Sequence, residues 1–191
     1  MNKRSMSTEK MVFVAIMTAL VVLLQVIGGG IKFGMFSISL VLVPIVLGSA
    51  VAGPFAGAWL GFVFGLVVLL TGDAAAFLAV NVPGTFITVF VKGILAGLIS
   101  GLAYKALSKL NTYGAVLVSA ALCPIINTGI FLIGCKLFFY ETISQWGAAA
   151  GFESAGAYMF LGLAGVNFLI ELAVNLILSP VILRLLKIRK A

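Results

Sequence analysis

The chain has 191 residues, 63% of them apolar and only 9% charged. An average soluble domain carries about 45–50% apolar and about 25% charged residues, so these proportions exclude a water-facing surface and point to a lipid-facing one. The net charge of +7 would suit nucleic acid if the basic residues clustered on one face of a folded domain, but they stand mostly at the ends of apolar runs, as topology signals do.

In chain order the sequence predicts an all-α integral membrane protein, a compact bundle of six transmembrane helices with 1–191 as a single domain. The yardstick is about 20 apolar residues for each crossing. The first helix runs from about 9 to 27. Its basic and then apolar start looks like a signal peptide, but no cleavage site precedes the rest of the bundle, so it is read as helix one. Gly28, Gly29 and Gly30 open a loop that ends near Ser37, and a short second helix covers 37–52. Gly53-Pro54 is a tight break before the third helix, 54–70. A polar segment, 71–83, holds Gly72, Asp73, Asn81 and Pro83 and leads into the fourth helix, 84–107. A polar turn, 108–113, precedes the fifth helix, 114–139. The longest loop, 140–157, carries Glu141, Gln145, Trp146 and Glu153, and the sixth helix covers 158–186. No linker, soluble domain or clear repeat interrupts this pattern.

The positive-inside rule fixes an expected orientation. With both termini in the cytoplasm, the inner side carries Lys3, Arg4, Lys10, Lys105, Lys109, Arg184, Lys187, Arg189 and Lys190, and the outer side only Lys32 and Lys136. The long, polar and aromatic loops then face outward, and loops of that kind carry binding function.

Several chemistries are excluded. There is no histidine, hence no histidine general base or histidine metal site. No G-x-x-x-x-G-K-[ST] loop, G-x-S-x-G elbow or acidic metal cluster is present. Cys123 and Cys135, if on one helix, stand roughly 18 Å apart, too far for a disulfide with each other.

Small residues recur every fourth position at Gly53, Gly57, Gly61 and Gly65 and again at Gly93, Gly97 and Gly101, which predicts close backbone packing of the third and fourth helices. Ala15 and Ala19 form a similar pair on the first helix. It reads either as internal packing or as a flat docking face for another membrane subunit.

Ionisable groups inside the membrane are the sharper signal, because each is costly unless paired or solvated. Lys92 lies roughly 12 Å from the outer end of the fourth helix. Glu171 lies in the sixth, and Asn167, Glu171 and Asn175 share one helical face. Asn127 and Thr128 follow a Cys123-Pro124 break in the middle of the fifth helix, where the proline frees a carbonyl near Ala120. Two readings stay open: a Lys92–Glu171 pair that holds the bundle together, or a polar pocket opening outward between the last three helices. A ligand carboxylate needs Lys92 released from Glu171, or Glu171 protonated.

These residues resemble the S component, the substrate-binding membrane subunit of an energy-coupling factor (ECF) vitamin transporter, in its pantothenate-like or uncharacterised group. The resemblance covers the whole chain in length and topology. It is carried by Ala15-x-x-x-Ala19, by Pro124-Ile125-Ile126-Asn127-Thr128-Gly129, and by Glu171-x-x-x-Asn175-x-x-x-Ser179-Pro180. It implies a subunit with no enzymatic activity or cofactor of its own. Such a subunit captures a small vitamin from outside and works with a transmembrane coupling subunit and two cytoplasmic ATPases. Ala15 and Ala19 match the docking motif. The expected substrate contacts are Lys92, Asn127, Thr128, Asn167, Glu171, Asn81 and Trp146. Lys92 suits an acid, and the asparagines and Thr128 suit hydroxyl and amide groups, so pantothenate is the expected cargo by complementarity. Riboflavin, with Phe33, Phe36, Phe77, Phe86, Phe131 or Trp146 as stacking rings, folate and another small acid are the alternatives. A proton-coupled secondary transporter, with Lys92 and Glu171 as a relay, is the rival of another class.

Overall fold

The computed structural model describes residues 7–28, 32–33, 36–37 and 40–188. Lys3, Arg4, Arg189 and Lys190, and the side chains of Lys32, Phe33, Phe36 and Lys187, lie outside what it describes. Helix α1 spans Thr8–Gly28. Two-residue strands β1 (Lys32–Phe33) and β2 (Phe36–Ser37) then pair antiparallel, Lys32 opposite Ser37. The remaining chain is helical: α2 (Leu42–Ala52), α3 (Pro54–Leu70), α4 (Ala75–Leu78), α5 (Val82–Leu107), α6 (Thr112–Phe138), α7 (Tyr140–Ala149) and α8 (Ala155–Ala157). The last passes through a π-helical stretch, Tyr158–Gly165, into α9 (Val166–Ile188).

Among the described residues, four segments are long and apolar enough to cross a membrane: Thr8–Gly28, Val82–Leu107, Thr112–Phe138 and Ala155–Leu186. The shorter apolar helices α2 and α3 accompany them. Each of the six expected segments contains a helix, but the helix count is higher, because two connections expected as loops are partly helical. In the first, α4 forms between Asp73 and Asn81. In the second, 140–157, α7 buries Ile143 and Gly147 and leaves Glu141, Ser144 and Gln145 exposed, an amphipathic pattern that a polar composition conceals. The second helix starts at Leu42 rather than Ser37, whose backbone pairs in β2. No break occurs at Pro124; α6 runs through it, although the proline lacks a backbone donor and crowds the carbonyl four residues before it.

Local chemistry sets the ends. Gly53 adopts φ +103°, a conformation open mainly to glycine, and Pro54 starts α3 in the first turn, where its missing N–H costs nothing. Asn81 and Asn111 cap α5 and α6, their side-chain oxygens accepting from Gly84 N and from Tyr113 N and Gly114 N. The glycine spacing acts as expected: an added Cβ at Gly57, Gly61, Gly93 or Gly97 would run into the backbone of the facing helix across the α3–α5 seam.

The bundle is inverted relative to a soluble protein. Large apolar side chains such as Phe55, Leu70, Leu161 and Ile177 are exposed, whereas Gln25, Ser100, Ser119, Asn127, Glu171 and Asn175 are buried. Hydrocarbon solvates the first set at no cost, and the second finds partners only inside.

Candidate functional site: a polar cavity in the bundle

A cavity of about 90 Å³ lies between α1, α3, α5, α6 and α9, at the end of the bundle that carries α4. Lys92 and Thr88 reach it from α5, Asn127, Thr128 and Phe131 from α6, and Asn167 and Glu171 from α9. Helix α3 contributes Phe64, the turn before α4 contributes Asp73, and α4 contributes Phe77. Leu163 and Ala164 of the π-helical stretch complete the α9 wall. Its wider turn changes the angle at which the residues on either side face inward, and such segments are frequent at functional sites.

The Lys92 ammonium stands over two rings, 5.4 Å from the centroid of Phe64 and 5.4 Å from that of Phe131. It makes no hydrogen bond or contact ion pair among the described residues. Glu171 and Asp73 act on it only at longer electrostatic range. The two-residue ion pair weighed from the sequence is therefore absent, and diffuse attraction from two ring faces replaces it.

Among the described residues, three buried polar atoms on the cavity wall have no hydrogen-bond partner: Thr88 Oγ1, Asn127 Oδ1 and Asn167 Oδ1. Each such group costs about 1–3 kcal/mol, so three around one cavity form a surface suited to a hydrogen-bonding guest. Asn175, on the same face of α9, does not line the cavity. It is fully buried, and its Nδ2 donates to the Glu171 carbonyl at 2.9 Å.

Five of the seven side chains expected to contact substrate thus come together, namely Lys92, Asn127, Thr128, Asn167 and Glu171. The other two do not line the cavity. Asn81 is committed to capping α5, bonded to Gly84 N at 2.9 Å. Trp146 sits one ring further out, edge-on to Phe77 with centroids 5.7 Å apart. Of the rings considered for stacking, Phe77 and Phe131 line the cavity, whereas Phe86 is exposed beside Phe90.

The cavity wall also holds Gln25, Phe64, Thr88 and Asp73, none of them among the substrate contacts expected from the sequence. Gln25 is only 2% exposed, and its Nε2 donates to Asp73 Oδ2 at 2.7 Å, tying the end of α1 to the turn after α3. A glutamine in the last turn of an otherwise apolar span is a legible signal. Phe64 had none, since one phenylalanine in an apolar helix resembles any other.

Ala15 and Ala19 are both exposed, on the face of α1 opposite its buried residues Met17, Val21 and Gln25. Internal packing, one of the two readings of this pair, does not occur.

A family model described as "ECF transporter, substrate-specific component" matches residues 9–183. No curated protein and no solved structure matches the chain.

Proposed function

This chain belongs to the family of substrate-specific components of ECF transporters, and from that premise we propose that it is the high-affinity subunit that captures a small water-soluble vitamin for an ATP-driven importer. It is a multi-pass membrane protein and a transport subunit rather than an enzyme. In this reading 1–191 is one transmembrane domain in the cell membrane, crossing six times with both termini cytoplasmic and the cavity open outward. Ala15 and Ala19, exposed on α1, form the docking face for the transmembrane coupling subunit. ATP is hydrolysed on two partner chains.

The observation that carries the reading is the state of Lys92. A lysine that faces a cavity inside an apolar bundle, held by rings and without a contact carboxylate, is poised for an anionic guest. Thr88, Asn127 and Asn167 offer hydrogen bonds to its polar body. Pantothenate, with its carboxylate, amide and hydroxyl groups, matches this set of partners.

The test is mass spectrometry of ligands co-purifying with the chain, followed by calorimetric titration of pantothenate, riboflavin and folate. Pantothenate is expected to bind most tightly. A different co-purifying ligand that pantothenate does not displace would reject the choice of cargo, and substrate movement by the chain alone in proteoliposomes would reject the S-component mechanism.

A further inference from the structure

We infer that Phe64 and Phe131 are positioning residues: together they cage the Lys92 ammonium and fix it on the cavity wall, so that its charge stays available to an anionic group of the substrate. The inference rests on the reading of the cavity as a substrate site and adds what keeps that site competent.

The geometry supports it from three directions. First, the ammonium is equidistant from the two ring centroids, at 5.4 Å, within the range for cation–π attraction. Ring faces offer diffuse negative potential rather than a localised acceptor. They stabilise the charge without neutralising it. A contact carboxylate would neutralise it, and a ligand would then have to break a buried ion pair before binding.

Second, both rings are held in place. Phe64 is 1% exposed. Phe131 packs edge-on against Phe77, with centroids 5.7 Å apart. Third, the α3–α5 seam brings the cage together. Gly61 and Gly93 meet backbone to backbone, and a Cβ built on Gly93, the neighbour of Lys92, would lie 3.5 Å from Phe64 Cδ1. The glycine spacing therefore does more than tighten the bundle, since it brings a ring of α3 against a lysine of α5.

Removing one ring face takes away part of what fixes the ammonium. In Phe64→Leu the lysine is expected to lose its defined position on the cavity wall and, with it, affinity for anions. The full chain, labelled with 13C at the lysine ε carbon, gives a readout that needs no ligand. Lys92, identified by the signal lost in Lys92→Met, should be displaced from the other lysines by ring currents, and Phe64→Leu should move it back towards them. Calorimetry with pantothenate and with pantothenol, in which a neutral hydroxymethyl replaces the carboxylate, gives the second readout.

Phe64→Leu should weaken pantothenate binding by roughly two- to thirty-fold and leave pantothenol unchanged. In a Lys92→Met background it should have no further effect. Equal losses for acid and alcohol, an equal loss in the Lys92→Met background, or a wild-type Lys92 signal that coincides with the other lysines would each overturn the cage. If neither compound binds wild type while Lys92 shows the ring shift and Phe64→Leu abolishes it, the cage stands and pantothenate falls. Melting curves accompany each variant. Phe131→Leu, at a half-buried position, replaces Phe64→Leu if that chain does not fold.

Discussion

Replacing Lys92 by methionine separates a binding role from a structural one. Methionine has a similar reach and no charge. If the ammonium contacts an anionic ligand group, the lost charge-assisted hydrogen bond is worth about 1.5–3 kcal/mol, which weakens binding by roughly ten- to a hundred-fold or more. The structure also constrains the stability change. Lys92 makes no contact ion pair, so the substitution strands no salt-bridge partner. It removes two cation–π contacts of about 0.5–2 kcal/mol each and, in the same step, the cost of keeping an ammonium among apolar walls. These effects oppose each other, and the melting temperature should stay near that of wild type. A lysine serving only to hold Glu171 would behave otherwise: Lys92→Met would melt lower, and adding Glu171→Gln would restore stability with no special effect on ligand. Calorimetric titration of pantothenate into wild type, Lys92→Met and Lys92→Met with Glu171→Gln, each with a melting curve, distinguishes the two. Unchanged affinity in a stably folded Lys92→Met protein would refute the reasoning.

Asn127→Leu removes a buried oxygen that has no partner among the described residues; it should leave stability unchanged or raised while lowering ligand affinity by about ten-fold, and an affinity equal to wild type would take Asn127 out of the site. Ala15→Trp or Ala19→Trp places a large ring on an exposed face of α1, so ATP-driven uptake by the assembled transporter should stop while ligand binding by the isolated chain persists. Loss of binding along with uptake would mean that the change disturbs the bundle rather than docking. For orientation, Ser7→Cys and Glu153→Cys, both at exposed positions, should label from opposite sides of the membrane. The native Cys123 and Cys135 are buried and should stay silent, and labelling of both new cysteines from outside would reject cytoplasmic termini.

The membrane class, the positions of the long helices and most of the candidate site were legible in the sequence, for one physical reason. Hydrocarbon leaves little latitude: backbone groups must bond within a helix, and a polar side chain in an apolar span has nowhere to go but inward. Lys92, Asn127, Thr128, Asn167 and Glu171 could thus be assigned to a common interior before any contact was known. Residues near helix ends escape that constraint. Asn81 and Trp146 had other outlets, a helix cap and an aromatic cluster, and composition could not choose between those and the cavity. Asp73, in a turn, could as well have faced water. What only the tertiary structure decided is which partner Lys92 takes. Spacing along a helix gives the face on which a side chain sits, but two opposite charges on different helices pair only if the helices also agree in distance, depth and rotation. Here the Gly61–Gly93 contact sets how closely α3 approaches α5, and the π-helical stretch before Val166 alters how α9 turns its face inward. Those offsets, summed over several helices, place Phe64 and Phe131 at the ammonium instead of the Glu171 carboxylate.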